Sequence, residues 1–556
     1  MSHITVSGAM YADMIRAGAA NLSKHIEEVN NLNVFPIPDG DTGENMMLTM
    51  QGGVNSCGSS SEDEALSNVA ERISGGMLLG ARGNSGVILS QFFAGITEGF
   101  RNMETADIET LQKAISCGVL RAYEAVITPT PGTILTVAKD AGKFAEQSEA
   151  ETVEDYFSAF IEEAKRSLVR TPELLPVLKE AGVVDSGGAG LVYIVEGMVS
   201  FLLGKLPADT LPEPTVAAGS HIIDPELFTA DMELEFGYCT ELLLRLQTSK
   251  TNPETFDLAP LIDYLQSIGN SVVAVKTGSI VKLHVHTMTP GRVLAFCQQF
   301  GEFLTVKIEN MMLQHNEILS ENEKDLPADA SSVRERHPFG VVTVAPGEGI
   351  CNAFRELGAE EVIFGGQTMN PSAEDFLEAF SRLNADTVYV LPNNPNILLA
   401  ARQAAGMCTD SDVRVIPTRT VGDAYAVLSM LDFDSANADT IEREMNEAME
   451  GVLTAEVSKS VRDAEMNGVT VHKGEFISFI GKEIIASGTS REAVACRALD
   501  QMNPEEHALL LLIRGKDADE KSAMAIRNYL KKSYPSVEVV ESDGGQDIYD
   551  YILVAE

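Results

Sequence analysis

Residues 30–46 read NNLNVFPIPDGDTGENM, the most informative stretch of this 556-residue chain. Two carboxylates, Asp39 and Asp41, are separated by a single glycine and follow a segment that two prolines stiffen. Gly40 and Gly43 permit the tight turn that brings both carboxylates to one point. Oxygen ligands on a rigid turn suit Mg²⁺, which takes one or two carboxylates together with substrate phosphates. The stretch predicts a metal–nucleotide site, and the alternative is a solvated turn.

A second stretch, GARGNSG at residues 80–86, strengthens the prediction of a phosphate site. It precedes an apolar run, Val87–Phe93, that has the pattern of a helix. A glycine-rich turn that enters a helix presents unpaired backbone N–H groups and the positive end of the helix dipole, which both favour phosphate oxygens. The stretch matches neither the P-loop pattern nor the dinucleotide-binding fingerprint, so it indicates a phosphate-binding turn of another kind.

Four motifs in a fixed order give the chain a resemblance to known kinases. After residues 30–46 and 80–86 come GTILTV at residues 132–137 and VDSGG at residues 184–188. With these motifs the first 200 residues resemble the nucleotide-binding L subunit of dihydroxyacetone kinase. The whole chain resembles the ATP-binding subunit of bacterial fatty acid kinase.

The resemblance implies an α-helical barrel that carries ATP and two Mg²⁺ ions at one end, with acidic residues as metal ligands. Asp39 and Asp41 match that motif directly. Dihydroxyacetone kinases have a further aspartate upstream, where this chain offers Asn33 at a slightly different spacing as the third ligand. Arg82 is a candidate to stabilise charge on the transferred group, with a surface ion pair as the alternative. The residues expected at the nucleotide or its phosphates are Thr42, Gly43, Asn45, Gly83, Asn84, Ser85, Gly86, Gly132, Thr133 and Asp185.

Length and composition predict a large cytoplasmic enzyme with several domains. At 556 residues the chain exceeds the roughly 250–300 residues at which single cores stop growing. No basic-then-apolar leader opens the sequence, and no apolar stretch approaches the roughly 20 residues that span a bilayer. Seven scattered cysteines suit a reducing compartment. A net charge of −41 argues against nucleic acid or an anionic membrane as a partner.

The pattern of apolar residues divides the chain into three regions. Residues 1–204 carry long helical patterns with short connections, which predicts an all-α bundle or barrel. Residues 221–317 follow the order βαββαβ, which predicts a small ferredoxin-like α+β domain. In residues 338–556 short apolar strands alternate with helices, which predicts a parallel sheet within two α/β lobes. This last region resembles DegV-type fatty-acid-binding proteins in fold.

The middle region holds a candidate zinc site. His284 and His286 lie two residues apart in a predicted strand, so both rings are expected on one face of the sheet. Cys239, in a nearby strand-like segment, completes a set of two imidazoles and one thiolate with room for a fourth ligand. The alternative is a pair of surface histidines and a buried cysteine. The fatty acid kinase subunits carry similar Tyr-Cys-Thr-Glu and Val-His-Val-His motifs with a zinc role, and this resemblance favours zinc.

Polar turns follow three predicted strands of the last region, at residues 365–371, 392–395 and 417–420. The carboxyl ends of parallel strands are where ligands bind in such sheets. Capping within the turns explains much of the same composition. A binding role and a structural role are therefore both open for these turns.

The phosphate acceptor is inferred from the chemistry of the candidates. A carboxylate is already ionised at pH 7 and needs no general base, whereas a hydroxyl acceptor requires one, and no obvious candidate histidine lies close to the motif. This favours a fatty acid, which the resemblance implies is presented by a separate carrier protein of DegV type. Phosphorylation of dihydroxyacetone and a non-catalytic nucleotide-sensing scaffold are the alternatives. A homodimer is compatible with the sequence but is not predicted by any pattern in it.

Overall fold

The computed structural model divides the chain into two compact units. One unit contains residues 1–217 and 333–556, and the other contains residues 218–332. The described residues are 3–33, 40–58, 64–126, 128–205, 238–247, 250–252, 256, 258–268, 270–277, 280–310, 336–367, 369–431 and 437–556.

The N-terminal part of the first unit is a bundle of helices around one apolar core. Side chains three or four residues apart turn inward on the longer helices, and Ile15, Met50, Phe160 and Ile194 are fully buried. The helical character predicted for this region is thereby confirmed in its described residues. The helices in its described residues are α1 (Gly8–Ser23), α2 (Ile26–Asn30), α3 (Thr42–Ser56), α4 (Leu66–Leu79), α5 (Gly83–Gly99), α6 (Ile108–Glu124), α7 (Ile134–Glu146), α8 (Val153–Leu174), α9 (Pro176–Ala181) and α10 (Ser186–Leu202).

Two short strands correct the prediction that this region is helical throughout. The strands β1 (Thr5–Ser7) and β2 (Thr105–Asp107) pair antiparallel, with Val6 opposite Ala106. Three residues are too few to show the alternation by which a strand is recognised in sequence, and the two partners are far apart in the chain.

The second unit contains a four-stranded sheet and two helices in its described residues. The strands follow the order β4-β5-β3-β6, and every neighbouring pair is antiparallel. The elements follow the predicted order βαββαβ. The sequence pattern predicts the first strand over residues 233–247, of which residues 233–237 lie outside the described residues. The elements are β3 (Tyr238–Leu246), α11 (Ala259–Ile268), β4 (Asn270–Thr277), β5 (Ile280–Thr287), α12 (Pro290–Cys297) and β6 (Gly301–Asn310).

The C-terminal part of the first unit opens with a parallel sheet, as the alternation of strands and helices predicts. Its four strands follow the order β10-β9-β7-β8. We call this part, residues 337–448, the parallel-sheet lobe. Its elements are β7 (His337–Ala345), α13 (Glu348–Glu356), β8 (Glu361–Phe364), α14 (Ala373–Leu383), β9 (Ala385–Leu391), α15 (Leu398–Met407), β10 (Asp412–Val415), α16 (Val421–Ser429) and α17 (Ala438–Ala448).

A second C-terminal lobe contains a six-stranded sheet of mixed direction. Its strands follow the order β15-β14-β11-β18-β16-β17, and β16–β17 is the one parallel pair. None of the helices in the described ranges is both long and apolar enough to cross a membrane. The elements of this lobe are β11 (Leu453–Lys459), β12 (Ala464–Met466), β13 (Val469–Val471), β14 (Phe476–Ile480), β15 (Glu483–Gly488), α18 (Arg491–Gln501), β16 (Leu509–Arg514), α19 (Glu520–Ser533), β17 (Glu538–Asp543) and β18 (Tyr549–Ala555).

The parallel-sheet lobe packs against the helical bundle at the start of α5. Ala81 and Val87 of the bundle belong to the same buried apolar cluster as Phe376 of α14. The backbone N–H of Ala373 donates to the carbonyl of Ala81 at 3.3 Å. A common apolar core and a backbone hydrogen bond therefore join the bundle to this lobe, and the glycine-rich turn before α5 lies directly against the lobe.

Candidate functional site

Asp41 immediately precedes α3 and is almost entirely buried. Its exposed fraction is 6%, and that of Thr42, the first residue of the helix, is 7%. A carboxylate at this place lies near the backbone N–H groups and the positive dipole end of the helix. Residues 34–39, which include the other predicted carboxylate Asp39, lie outside the described residues.

Asn33 lies beside the start of α3, but its amide oxygen already has two hydroxyl partners. The hydroxyl of Thr42 donates to Asn33 Oδ1 at 3.0 Å, and the hydroxyl of Ser186 donates to the same atom at 3.2 Å. Ser186 is the first residue of α10 and also lies 3.3 Å from the hydroxyl oxygen of Thr42. The Asn33 side chain therefore joins the starts of α3 and α10 at one point.

The glycines of the second motif let α5 approach α3. Gly83 has a φ of +57°, a conformation that other residues rarely adopt. A Cβ atom at Gly83 would lie 2.5 Å from the side-chain nitrogen of Asn45, in the first turn of α3. Asn84 and Ser85 follow in the first turn of α5 and are partly buried. The motif thus places the start of α5 against the start of α3.

The third and fourth motifs meet through Asp185. Its carboxylate accepts a hydrogen bond from the backbone N–H of Gly188 at 2.7 Å, which caps α10, and another from the backbone of Ile134, the first residue of α7. Gly132, with a φ of +84°, and Thr133 form the turn that enters α7. Burial raises the pKa of Asp185 to about 6, and the two backbone hydrogen bonds oppose this rise.

We expect Asp185→Asn to change how stability depends on pH. The unfolded carboxyl titrates near pH 4 and the folded one at about 6, so the folded state binds more protons between these values. The free energy of unfolding therefore falls as the pH rises through this window, by about 2–3 kcal/mol in total. Asparagine does not titrate. The free energy of unfolding of the variant should therefore rise by that amount relative to that of the parent as the pH increases from about 4 to about 7. Thermal midpoints of both proteins across this range measure the gain, and a difference that is constant with pH would contradict it.

The starts of four helices thus meet at one end of the bundle. α3 and α10 are joined by Thr42 and Ser186, α7 and α10 by Asp185, and α5 packs against the first turn of α3. Each helix start offers backbone N–H groups and a partial positive charge, which together favour an anion such as phosphate. Asp41 brings a negative charge into the same place. The arrangement suits a polyanion bound together with a cation.

The parallel-sheet lobe reaches this site through Asn370. The Asn370 side-chain amide donates a hydrogen bond to Asp41 Oδ2, and its backbone carbonyl accepts one from Arg82 Nη1 at 2.8 Å. The same Arg82 nitrogen lies 3.5 Å from a carboxylate oxygen of Asp375. This geometry favours the ion-pair interpretation of Arg82 over direct contact with phosphate. The sequence marks the turn at residues 365–371 as polar, but nothing in it shows that the turn faces Asp41.

Two amide oxygens at this site are buried without a hydrogen-bond partner among the described residues, and they belong to Asn370 and Asn84. The amide nitrogen of Asn84 is held by Asn396 Oδ1 at 3.2 Å. The Asn370 oxygen lies beside the Asp41 carboxylate, and carbonyl and carboxylate oxygens suit Mg²⁺, so these two residues fit such an ion. No group of three His, Cys, Asp or Glu side chains that could hold a metal ion occurs in the described part of the chain, and Asp39 lies outside it.

The three predicted zinc ligands are placed by their backbone alone. Strands β3 and β5 pair antiparallel, with Cys239 opposite His286 and Glu241 opposite His284. The side chains of Cys239, His284 and His286 lie outside the described part of the structure. The register brings the three positions close together, and the zinc site stays a prediction.

Comparison with protein-family models gives three consecutive matches. The model "DAK2 domain" matches residues 36–200. The model of the FakA-like middle domain of fatty acid kinase matches residues 235–318, and the model of the FakA-like C-terminal domain matches residues 340–556.

Curated relatives align with the whole chain. Protein YloV of Bacillus subtilis (strain 168) is 41% identical over 565 residues, covering 100% of both proteins. An uncharacterized protein of Staphylococcus aureus (strain USA300) is 36% identical over 559 residues, covering 99% of each.

Solved structures resemble parts of the chain at low TM-scores. A fatty-acid-binding DegV family protein from Thermus thermophilus has a TM-score of 0.30 and 13% identity, covering 39% of this chain and 99% of that one. The dihydroxyacetone kinase from C. freundii, in complex with AMP-PNP and Mg²⁺, has a TM-score of 0.27 and 18% identity, covering 35% and 34%.

Proposed function

This chain belongs to the FakA-like family of fatty acid kinase proteins, and we propose that it transfers the γ-phosphate of ATP to the carboxylate of a fatty acid. The acceptor is presented by a separate fatty-acid-binding protein of DegV type. In this proposal residues 1–204 bind ATP and Mg²⁺, residues 221–317 hold zinc, and residues 338–556 form an α/β domain.

The meeting of four helix starts around the buried Asp41 is the observation that carries the proposal. A phosphoryl-transfer site needs donors for the phosphate oxygens and a neutralising cation, and little other chemistry from the protein. Backbone N–H groups in the first turns of α3 and α5 supply donors, and Asp41 supplies a cation ligand. This combination supports phosphoryl transfer better than the binding of an uncharged ligand.

Each site residue has a proposed role. Asp39 and Asp41 would hold the two Mg²⁺ ions, which would supply positive charge to neutralise the phosphates of ATP. Asn33, whose amide oxygen is engaged by two hydroxyl groups, positions Thr42 and Ser186 rather than binding metal itself. Arg82 anchors the turn that carries Asn370. The residues proposed to contact phosphate or nucleotide are Thr42, Gly43, Asn45, Gly83, Asn84, Ser85, Gly86, Gly132, Thr133 and Asp185.

A fatty acid is the preferred acceptor because its carboxylate is already ionised at neutral pH. One carboxylate oxygen attacks the γ-phosphorus, the bond to the β–γ bridging oxygen breaks, and ADP leaves with that oxygen. The product is an acyl phosphate, and no proton has to be removed from the acceptor. Dihydroxyacetone would instead need a base for its hydroxyl group.

Transfer of label from γ-labelled ATP to alternative acceptors tests the proposal. The full chain is incubated with Mg²⁺ and either a long-chain fatty acid with a DegV-type carrier or dihydroxyacetone. We expect label in a hydroxylamine-sensitive acyl phosphate, and only when the carrier is present. Label on dihydroxyacetone would reassign the acceptor, and tight ATP binding without transfer to either would favour a nucleotide-sensing scaffold.

A zinc site in the middle domain gives a separate prediction. Cys239 lies opposite His286 in the strand pair, so removal of its thiolate should remove one of the ligands. We expect about one zinc ion per chain in the parent and loss of most of it in Cys239→Ser, measured by elemental analysis of the purified protein. Cys117→Ser, a partly buried cysteine of α6, is the matched control. Full zinc content in the Cys239 variant would refute the site.

A further inference from the structure

We propose that Asn370, from the parallel-sheet lobe, completes the cation site by giving its amide oxygen to the cation that Asp41 binds, directly or through a bound water. This inference rests on the proposed function, because it takes Asp41 as a cation ligand. Because Asn370 belongs to the lobe and Asp41 to the helical bundle, the cation site is complete only when the lobe packs against the bundle.

The first support is the contact between the two side chains. The Asn370 amide nitrogen donates to a carboxylate oxygen of Asp41, and the exposed fractions of the two residues are 2% and 6%. An amide fixed by its nitrogen has its oxygen fixed as well, since the two atoms belong to one planar group. Asn370 therefore presents an oxygen beside the Asp41 carboxylate.

The second support is that this oxygen has no hydrogen-bond partner among the described residues. Buried polar atoms are almost always paired, with protein, water or an ion. The neighbouring Asn84 shows the same pattern, with its nitrogen held by Asn396 and its oxygen without a described partner. An unpaired amide oxygen of Asn370 next to the Asp41 carboxylate points to a hard cation as the common partner of these two residues.

The third support is that backbone groups hold the turn that carries Asn370. Its turn is closed by backbone groups, the Gly366 N–H donating to the Met369 carbonyl at 3.1 Å. The turn is held on the bundle by Arg82, which donates to the backbone carbonyl of Asn370 at 2.8 Å. Both bonds survive replacement of the side chain. The amide oxygen of Asn370 is thus available to a ligand, while the backbone of the turn holds the lobe on the bundle.

Cation binding to the full chain tests the inference. Mn²⁺, a paramagnetic substitute for Mg²⁺, is titrated in the presence of saturating AMP-PNP and followed by electron paramagnetic resonance. Loss of a side chain that supports a metal ligand lowers the affinity of a protein for the metal by about 10–100-fold. We therefore expect Asn370→Ala to weaken Mn²⁺ binding by at least about tenfold. Asn370→Asp keeps an oxygen ligand and should retain tight binding. Without cation, Asn370→Asp should have a lowered thermal midpoint, because two carboxylates then face each other.

Asn528→Ala, on the exposed face of α19, is the control and should bind Mn²⁺ like the parent. Unchanged Mn²⁺ affinity in Asn370→Ala would overturn the inference. Tighter Mn²⁺ binding by Asn370→Ala would also overturn it, because the hydrogen bond from Asn370 would then compete with the cation for the Asp41 carboxylate. A parent that binds no Mn²⁺ with nucleotide would refute this site and the proposed function together. Binding as expected without transfer to a fatty acid would refute the proposed function alone.

Discussion

Asp41→Asn is expected to abolish phosphoryl transfer while the chain stays folded. The carboxylate is buried at the junction of four helix starts, and the substitution keeps its size but removes its charge. Changing a residue that merely supports a metal ligand costs about 10–100-fold, so loss of a ligand itself should cost more than about 100-fold in turnover. Initial rates of acyl phosphate formation at saturating ATP measure the effect.

Asp140→Asn serves as the control for Asp41→Asn. Asp140 is a partly buried carboxylate of α7 that accepts a hydrogen bond from Ser167 at 2.7 Å and pairs with Arg170 at 3.2 Å. Its loss should lower the thermal midpoint slightly and leave turnover near that of the parent. Equal turnover in the Asp41 variant and the parent would show that the metal site lies elsewhere.

Gly83→Ala has the second large expected effect, on nucleotide affinity. At a φ of +57° an alanine is strained, and its Cβ would lie 2.5 Å from the Asn45 side chain. The start of α5 must then move away from α3, which separates the two sets of backbone N–H groups. Strain of this kind costs about 1–3 kcal/mol, and every 1.4 kcal/mol is tenfold in affinity. We expect the dissociation constant for Mg²⁺–AMP-PNP to rise by about 5- to 150-fold, as measured by calorimetry.

Gly182→Ala is the control for Gly83→Ala, because it introduces backbone strain without a steric clash. Gly182 also has a positive φ, +67°, but a Cβ there would meet no atom within 4 Å. This variant should lose about 1 kcal/mol of stability from backbone strain and keep its affinity for nucleotide. If both glycine variants bound nucleotide like the parent, the approach of α5 to α3 would have no part in the site.

Elements with a local signal were predictable from the sequence. Helix α14 spans Ala373–Leu383 as its apolar pattern predicts, because Ser372 and Asp375 form a capping box at its start and Asn384 ends it in the left-handed conformation. Strand β8 spans Glu361–Phe364, one of the short runs between helices whose apolar pattern predicts a strand. In both cases the residues that fix the bounds are neighbours in sequence.

Features that depend on distant partners were not predictable. The pairing of β1 with β2, and the place of β18 between β11 and β16, are determined by long-range contacts that leave no local pattern. In the candidate site, too, some features have a local sequence signal and others depend on distant contacts. Its glycine-rich turns and helix starts could be predicted from local sequence, whereas the contact between Asp41 and Asn370 joins positions 329 residues apart.

Isotope transfer from the fatty acid to phosphate tests the central claim of a direct attack by the carboxylate on ATP. The acid carries ¹⁸O in both carboxyl oxygens, and the product is trapped with hydroxylamine, which attacks the acyl carbon and releases phosphate. The account predicts ADP as the nucleotide product and one ¹⁸O in each released phosphate, because the bridging oxygen came from the acid. Formation of AMP that carries ¹⁸O, or of phosphate without it, would contradict the account.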